Sequence, residues 1–216
     1  MTEKRARKTG PVHAIVPLKI IKQSKTRLSG LSSKDRRKLT IAMLSNVLVA
    51  LRKSRKINDV MVVSGDKSVS RIAHLYGAKF LWEGKRHGLN KALKLAIGKL
   101  DQESPETAMI IHADLPLLTT KDVNEFVSRS KRVQIAIAPC KNGTGTNALL
   151  LRPPTAIPPA FGKGSFRTHL SLARKTKFRW KVLRILGIQF DIDEPRDLHE
   201  FMSHGAQGED FRFLGN

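Results

Sequence analysis

Three aspartates and a cluster of cations are the residues of this chain best placed to do chemistry. Asp114 closes the apolar run IIHADLPLL (110–118), where Pro116 keeps a strand from continuing smoothly. A carboxylate at the carboxyl end of a strand faces the crevice over an open α/β sheet, a place suited to Mg²⁺ bound to phosphates. An aspartate that merely forms a turn would look the same. Asp191 and Asp193, in FDIDEP (190–195), stand two apart and point the same way on an extended chain. Side by side they repel unless a cation lies between them, either Mg²⁺ or a neighbouring Lys or Arg. Asp193 also reads as the cap of a helix that begins near Pro195. His112, two residues before Asp114, reads as a packing or hydrogen-bonding histidine without chemistry.

The cations lie in PLKIIKQSKTRLSG (17–30), which follows a first strand and carries Lys19, Lys22, Lys25 and Arg27. Lys25, Thr26 and Arg27 come just before Ser29 and Gly30. Such a loop could hold a triphosphate through its backbone amides and its cations. A solvated basic turn has the same composition. The chain has no GxxxxGK[ST] stretch, and no GxGxxG follows the first strand, which argues against a P-loop enzyme and a plain dinucleotide dehydrogenase. Two further turns suit anions. In KNGTGTNALLL (141–151), Gly143 and Gly145 allow close backbone approach and Thr146 offers a hydroxyl and an amide. In FGKGSF (161–166), Gly162 and Gly164 lead to Ser165 at a helix start. Each could also be a tight turn followed by a cap.

The elements that must position these residues alternate in type. Strands are expected at 12–16, 60–63, 78–81, 108–112, 134–138, 147–151, 182–186 and 188–190. Helices are expected at 34–56, 66–76, 89–100, 119–130, 165–176 and 195–204. Ser32 with Asp35 forms a capping box before the first long helix, and Thr119 or Thr120 caps another. The alternation predicts a single α/β domain, Rossmann-like, with a mostly parallel sheet and helices on both faces. RPPTAIPP (152–159) is the one strong interior break, and there is no internal repeat. The expected boundaries are a basic flexible tail at 1–10, the domain at 11–204 and a C-terminal tail at 205–216.

Composition bounds the partners. Forty Lys and Arg against eighteen Asp and Glu give a formal charge of +22, which attracts polyanions and phosphorylated small molecules. The same excess means that a basic loop carries less information than usual. One Tyr and two Trp leave few stacking residues, and no nucleic-acid reader motif stands out, so nucleic acid is not the expected partner. Cys140 is the single cysteine, which rules out an internal disulfide framework and a cysteine-rich zinc site. No apolar run is long enough to span a membrane, the start does not read as a signal peptide, and a cytoplasmic location is expected.

Taken in order, PLK…SKTRLS (17–29), HGLN (87–90), ADLPLL (113–118), GTGTNALLLRPP (143–154), GKGSF (162–166) and DIDEP (191–195) resemble the 2-phospho-L-lactate guanylyltransferase family. The similarity runs from about residue 12 to residue 202. That family works in biosynthesis of the deazaflavin coenzyme F-420. It is related to the molybdenum-cofactor guanylyltransferases and the nucleotide-diphospho-sugar transferase fold. The resemblance implies transfer of GMP from GTP to the phosphate of a phosphorylated three-carbon acid, with release of pyrophosphate. 2-Phospho-L-lactate stands first, and phosphoenolpyruvate and 3-phosphoglycerate are the alternatives. It implies that Asp114, Asp191 and Asp193 hold Mg²⁺, with Asp114, Lys25 and Arg27 as the catalytic set. Lys19, Gly88 and Asn90 would contact GTP. Thr146, Gly162 and Ser165 would contact the acid. His87, where a second glycine is frequent, and Lys163, in place of a usual proline, depart from the family pattern. The partners it admits are the two small-molecule substrates, the next transferase of the pathway and a second copy in a homodimer. Transfer to a sugar phosphate or a molybdopterin is the alternative within enzymes, and a basic nucleic-acid-binding module is the alternative outside them.

Overall fold

Runs of β-branched and aliphatic residues set the centre of the molecule. In VHAIVPL, Val12, Ala14 and Val16 pack into one apolar cluster while Ile15 packs into another on the opposite face. A strand buried on both faces reads as a continuous apolar run because both sets of alternate side chains need cover. The computed structural model describes residues 11–84, 88–101, 107–203, 211 and 214. The expected tail at 1–10 and the departure at His87 lie outside them.

Seven strands form one sheet: β1 (Val12–Leu18), β2 (Asp59–Ser64), β3 (Lys79–Trp82), β4 (Thr107–Ile111), β5 (Ile135–Pro139), β6 (Thr146–Leu151) and β7 (Trp180–Val182). Their order is β3-β2-β1-β4-β6-β5-β7. All pairings are parallel except those of β6, which runs antiparallel to both β4 and β5. The expectation of a mostly parallel sheet therefore holds. β1 is central: Ala14 pairs with Val60 of β2 on one side and Met109 of β4 on the other. The chain leaves β1 toward β2 and returns to its other side with β4. This reversal opens a crevice at the carboxyl ends of β1 and β4, the usual ligand position in open α/β sheets.

Helices cover both faces. α1 (Ser33–Arg52), α2 (Val69–Leu75), α4 (Thr120–Arg129) and α6 (Leu186–Gln189) pack into the cluster that contains Val12, Ala14 and Val16. α3 (Leu89–Asp101) and α5 (Ser165–Arg174) pack into the one that contains Ile15. Caps fix the helix starts. Ser32 accepts the amide of Asp35 at 3.1 Å, and Thr119 forms a full capping box with Asp122. α7 (Pro195–Ser203) closes a third apolar cluster, in which Phe201 meets Phe211 edge to face at 5.0 Å between ring centroids. Within the segment expected to be a C-terminal tail, Phe211 thus belongs to the core and is only 3% exposed.

Two expected strands are corrected. The segment 182–186 holds only the last residue of β7, and 188–190 lies largely in α6 instead of a strand. The reason is a close approach. A Cβ on Gly187 would stand 2.3 Å from Asp122 Oδ2 and 2.8 Å from the Leu117 carbonyl oxygen. The backbone of α6 is pressed onto the start of α4, and an alternating apolar pattern cannot report that contact.

Candidate active site

The loop after β1 is anchored at both ends before it reaches the crevice. Ile21 and Leu28 are buried, and the Ile21 amide donates to Asp66 Oδ2 at 3.2 Å. Between these anchors Lys25 adopts a left-handed backbone, φ 57°. That conformation costs a non-glycine residue roughly 1 kcal/mol, and it aims the side chain inward. The Lys25 ammonium donates to Asp114 Oδ2 at 2.6 Å and to Asp193 Oδ1 at 2.9 Å. Its side chain is 7% exposed. Burial alone would lower the Lys25 pKa, but the charges of Asp114 and Asp193 outweigh it, and the net shift is upward.

The acidic members differ from one another. Asp114 is lowered despite burial, because Lys25 and His112 favour its charged form. Asp191 is pushed up to about 7 by burial and by the neighbouring charge of Asp114, while a hydrogen bond from Asn147 works the other way. Asp114 Oδ1 is buried without a hydrogen-bond partner. The Ile192 amide donates to the Asp114 carbonyl at 3.4 Å and ties the two acidic segments together. Asp193 does not cap α7. Asp197 Oδ2 instead accepts the amides of Asp193 and Glu194 at 3.0 and 2.8 Å, which leaves the Asp193 carboxylate for Lys25.

Whether these groups suit a divalent cation can be judged from their state. Among the described residues no three His, Cys, Asp or Glu side chains already converge as a metal cage. The lysine ammonium supplies the positive charge between Asp114 and Asp193. Asp114 Oδ1 nonetheless has no hydrogen-bond partner, and no cation is among the causes that set the raised Asp191 carboxyl. The donor set, hard carboxylate oxygens, fits Mg²⁺.

A second half-site is built from hydroxyls. The Thr146 amide donates to Ser165 Oγ at 3.0 Å, and Thr146 Oγ1 lies 2.9 Å from His169 Nδ1. Thr146, Ser165 and His169 are all buried. Gly164, at φ 71°, turns the chain into α5, and the Ser165 amide donates to the Gly162 carbonyl at 3.1 Å. Lys163 is exposed beside them. A chain of rings joins the two half-sites. His112 Nδ1 stands 3.8 Å from Asp114 Oδ1, and its ring lies 5.2 Å from that of Phe161. Phe161 meets His169 edge to face at 4.7 Å.

The remaining expected residues lie beside or outside this connected set. Asn90 spends both ends of its amide on the backbone of Phe161, at 2.9 and 2.8 Å, so it fixes the main chain that carries the ring between the half-sites. Gly88 is exposed ahead of α3, its carbonyl accepting the amides of Lys91 and Ala92. Arg27 is exposed and makes no ion pair among the described residues. Lys19 is also exposed, and its charge is one of those that help keep the His112 pKa low after burial, the largest cause.

His112, Asn147, Phe161 and His169 escaped the sequence reading as site residues. Only His112 carried a local signal, its position two residues before Asp114. The others act through contacts distant in sequence.

Carboxylates and a buried lysine at the carboxyl ends of β1 and β4 suit phosphate chemistry, and the relatives below are nucleotidyltransferases by name. Solved structures share the fold. A protein from Desulfovibrio desulfuricans G20 assigned to the nucleotide-diphospho-sugar transferases superposes with a TM-score of 0.72 at 16% identity, covering 93% of this chain and 90% of that one. CMP:2-keto-3-deoxy-manno-octonic acid synthetase in complex with CTP gives a TM-score of 0.63 at 10% identity, covering 91% and 99%. Residues 12–216 match the family described as "Guanylyl transferase CofC like", and the chain belongs to it. Curated relatives include phosphoenolpyruvate guanylyltransferase of Sphaerobacter thermophilus, 38% identical over 90% of this chain and 94% of that protein. They also include 2-phospho-L-lactate guanylyltransferase of Methanothermobacter thermautotrophicus, 36% identical over 89% and 84%. No described helix is long and apolar enough to cross a membrane.

Proposed function

We propose that this chain transfers GMP from GTP to the phosphate oxygen of a phosphorylated three-carbon acid, releasing pyrophosphate, as a step in making a coenzyme F-420-type cofactor. Phosphoenolpyruvate and 2-phospho-L-lactate are the two acids that its relatives name. The observation that carries the reading is the continuous run from Asp114 through His112, Phe161 and His169 to Thr146. It sets a charged half-site and a hydroxyl half-site side by side, one for each substrate.

The chemistry needs no covalent enzyme intermediate. The acid's phosphate oxygen attacks the α-phosphorus of GTP in line, and the bond to the β-phosphate oxygen breaks. Lys25 supplies positive charge at the crevice, and Thr146 and Ser165 orient the acid. Asp114, Asp191 and Asp193 would hold Mg²⁺, which when bound neutralises phosphate charge. Lys19 and Arg27, exposed on the same loop, would meet the triphosphate as GTP arrives, and Gly88 would lie on the nucleotide side.

The test is an assay of the purified protein with GTP, Mg²⁺ and each of phosphoenolpyruvate, 2-phospho-L-lactate and 3-phosphoglycerate, with products identified by mass. Pyrophosphate release that requires both GTP and one of these acids supports the reading. GTP turnover indifferent to all three acids would refute it.

A further inference from the structure

Hydrogen bonds have direction, and in the hydroxyl half-site the direction can be worked out. The backbone amide of Ala160 donates to His169 Nε2 at 3.0 Å. An amide can only donate, so Nε2 is the unprotonated nitrogen. A neutral His169 then carries its hydrogen on Nδ1 and gives it to Thr146 Oγ1, 2.9 Å away. The Thr146 amide likewise donates to Ser165 Oγ. Each hydroxyl therefore already accepts a hydrogen bond. Among the described residues no further bond engages the hydrogen of either one. Both hydroxyl hydrogens are left to be given away, which suits an anion.

We propose that His169 is a positioning residue for the acid substrate: it fixes the Thr146 hydroxyl as a donor toward the substrate's anionic oxygens. The inference rests on the acid-binding reading above and adds to it a buried histidine that touches no substrate. The ring is 0% exposed and is held on three sides, by Ala160, Thr146 and the edge-to-face contact with Phe161. It cannot rotate to reverse the pattern without losing the Ala160 bond. A protonated ring would turn Nε2 into a second donor facing the Ala160 amide. Burial, with a smaller effect from His112, keeps the ring neutral by lowering its pKa to about 4. An ammonium in this half-site would attract an anion as a point charge and would fix the position of its oxygens less closely than aimed hydroxyls do. Two aimed hydroxyl hydrogens select an oxygen pair of fixed separation.

The experiment separates the two ends of the imidazole. In His169→Asn the amide nitrogen takes the place of Nδ1 and still donates to Thr146, while the Ala160 bond is lost. In His169→Gln the side-chain oxygen takes the place of Nε2 and accepts from Ala160, while Thr146 loses its donor. The probes are phosphoenolpyruvate and 2-phospho-L-lactate. His169→Gln is expected to raise KM for the accepted acid about tenfold, the scale of one lost hydrogen bond to a charged partner, and to leave KM for GTP within about twofold. His169→Asn is expected to keep KM for the acid near that of the parent and to lose thermal stability instead. Combining His169→Gln with Thr146→Val should add little to the KM change of Thr146→Val alone, because both act through the one Thr146 contact to the acid. Equal effects of Asn and Gln on the acid, or multiplying effects with Thr146→Val, would overturn the proposal. If Asn does not fold, the Gln and Val cycle decides alone. If Thr146→Val itself leaves KM for the acid unchanged, the acid-binding reading fails first, and the two failures are told apart.

Discussion

The two half-sites solve opposite problems with opposite materials. Around Lys25 the groups are ionised, two of them on long-range partners, and the Asp193 side chain is 53% exposed. Around Thr146 the hydrogen-bonding side chains, those of Thr146, Ser165 and His169, are uncharged and buried. Ion pairs are strong but loosely directional, and they exchange partners readily when a more highly charged group arrives. Neutral hydrogen bonds in a buried network are directional, and they punish a ligand that cannot complete them. A triphosphate and its leaving pyrophosphate need the first kind of site. A choice among three-carbon acids that differ by a hydroxyl, a methyl or a double bond needs the second. Such a difference is worth only a few kcal/mol, so the geometry of the donors matters more than their charge.

The comparison breaks most sharply at Asp114. It is the shared acceptor of Lys25 and the neighbour of His112, and it carries an orphaned oxygen. Asp114→Asn is expected to lower kcat at least 100-fold, the scale of losing a group that places the cations which stabilise transition-state charge. Circular dichroism should remain that of the parent. Near-normal turnover in the folded variant would remove Asp114 from the charged half.

The neutral half should show itself in the dependence of stability on pH. The histidine pKa is 6.5 in the unfolded chain and about 4 in the fold. Between those values the unfolded chain binds a proton that the folded chain refuses. Stability is therefore whole above pH 6.5 and falls as pH drops toward 4. The full shift corresponds to about 3 kcal/mol, or a fall in Tm of roughly 10 °C for a chain of this size. Thermal melts of the parent and of His169→Asn across this window should differ in slope, with the variant flatter. Parallel curves would mean that His169 is not a buried neutral base.

Ser165 comes next. Its hydroxyl accepts the Thr146 amide, so Ser165→Ala removes the proposed substrate contact and also strands a buried backbone donor. The expected loss is about 1–3 kcal/mol, seen in KM for the acid and in Tm, with little change in KM for GTP. A loss confined to GTP would move Ser165 to the other half of the site.

These two halves were unequally legible in the sequence. The strands that carry the site announced themselves as apolar runs, and Ser32 and Thr119 marked helix starts through local spacing. Asp114 stood out because a proline follows it closely, and Asp191 with Asp193 stood out because they crowd in a chain poor in acids. By residue type Lys25 was one of several cations in its loop, and the family resemblance placed it in the catalytic set. Its role comes from a left-handed turn and from contacts with residues 89 and 168 positions away. His169 left no trace, since an amphipathic helix such as α5 places some residue inward whatever its chemistry. α6 was misjudged because the press of Gly187 on Asp122 is tertiary, while the pattern of Ile188 and Phe190 is equally good for a strand. Direction of hydrogen bonds, which decides what the neutral half can bind, is beyond any reading of residue types.

The smallest expected effect concerns Arg27, and it tests how far the charged half extends. Arg27 lies two residues beyond Lys25 but is exposed and makes no ion pair among the described residues. If GTP draws it in, Arg27→Ala should lower kcat/KM for GTP by about fivefold, in keeping with one partly solvated cation on a phosphate. The comparison needs a second cation, because each charge taken from a chain of +22 weakens its general pull on GTP. Arg52 is a poor choice: its guanidinium packs beside Gly77, where a Cβ would stand 3.4 Å from Nε. Arg55 is exposed and serves better. Raising the salt to about 0.5 M shortens the Debye length to roughly 4 Å, which screens general attraction while a direct contact survives in larger part. Arg27→Ala should then keep most of its loss and Arg55→Ala should lose its small one. If the two variants behave alike and both recover in salt, the charged half ends at Lys25 and Arg27 belongs to the solvated surface.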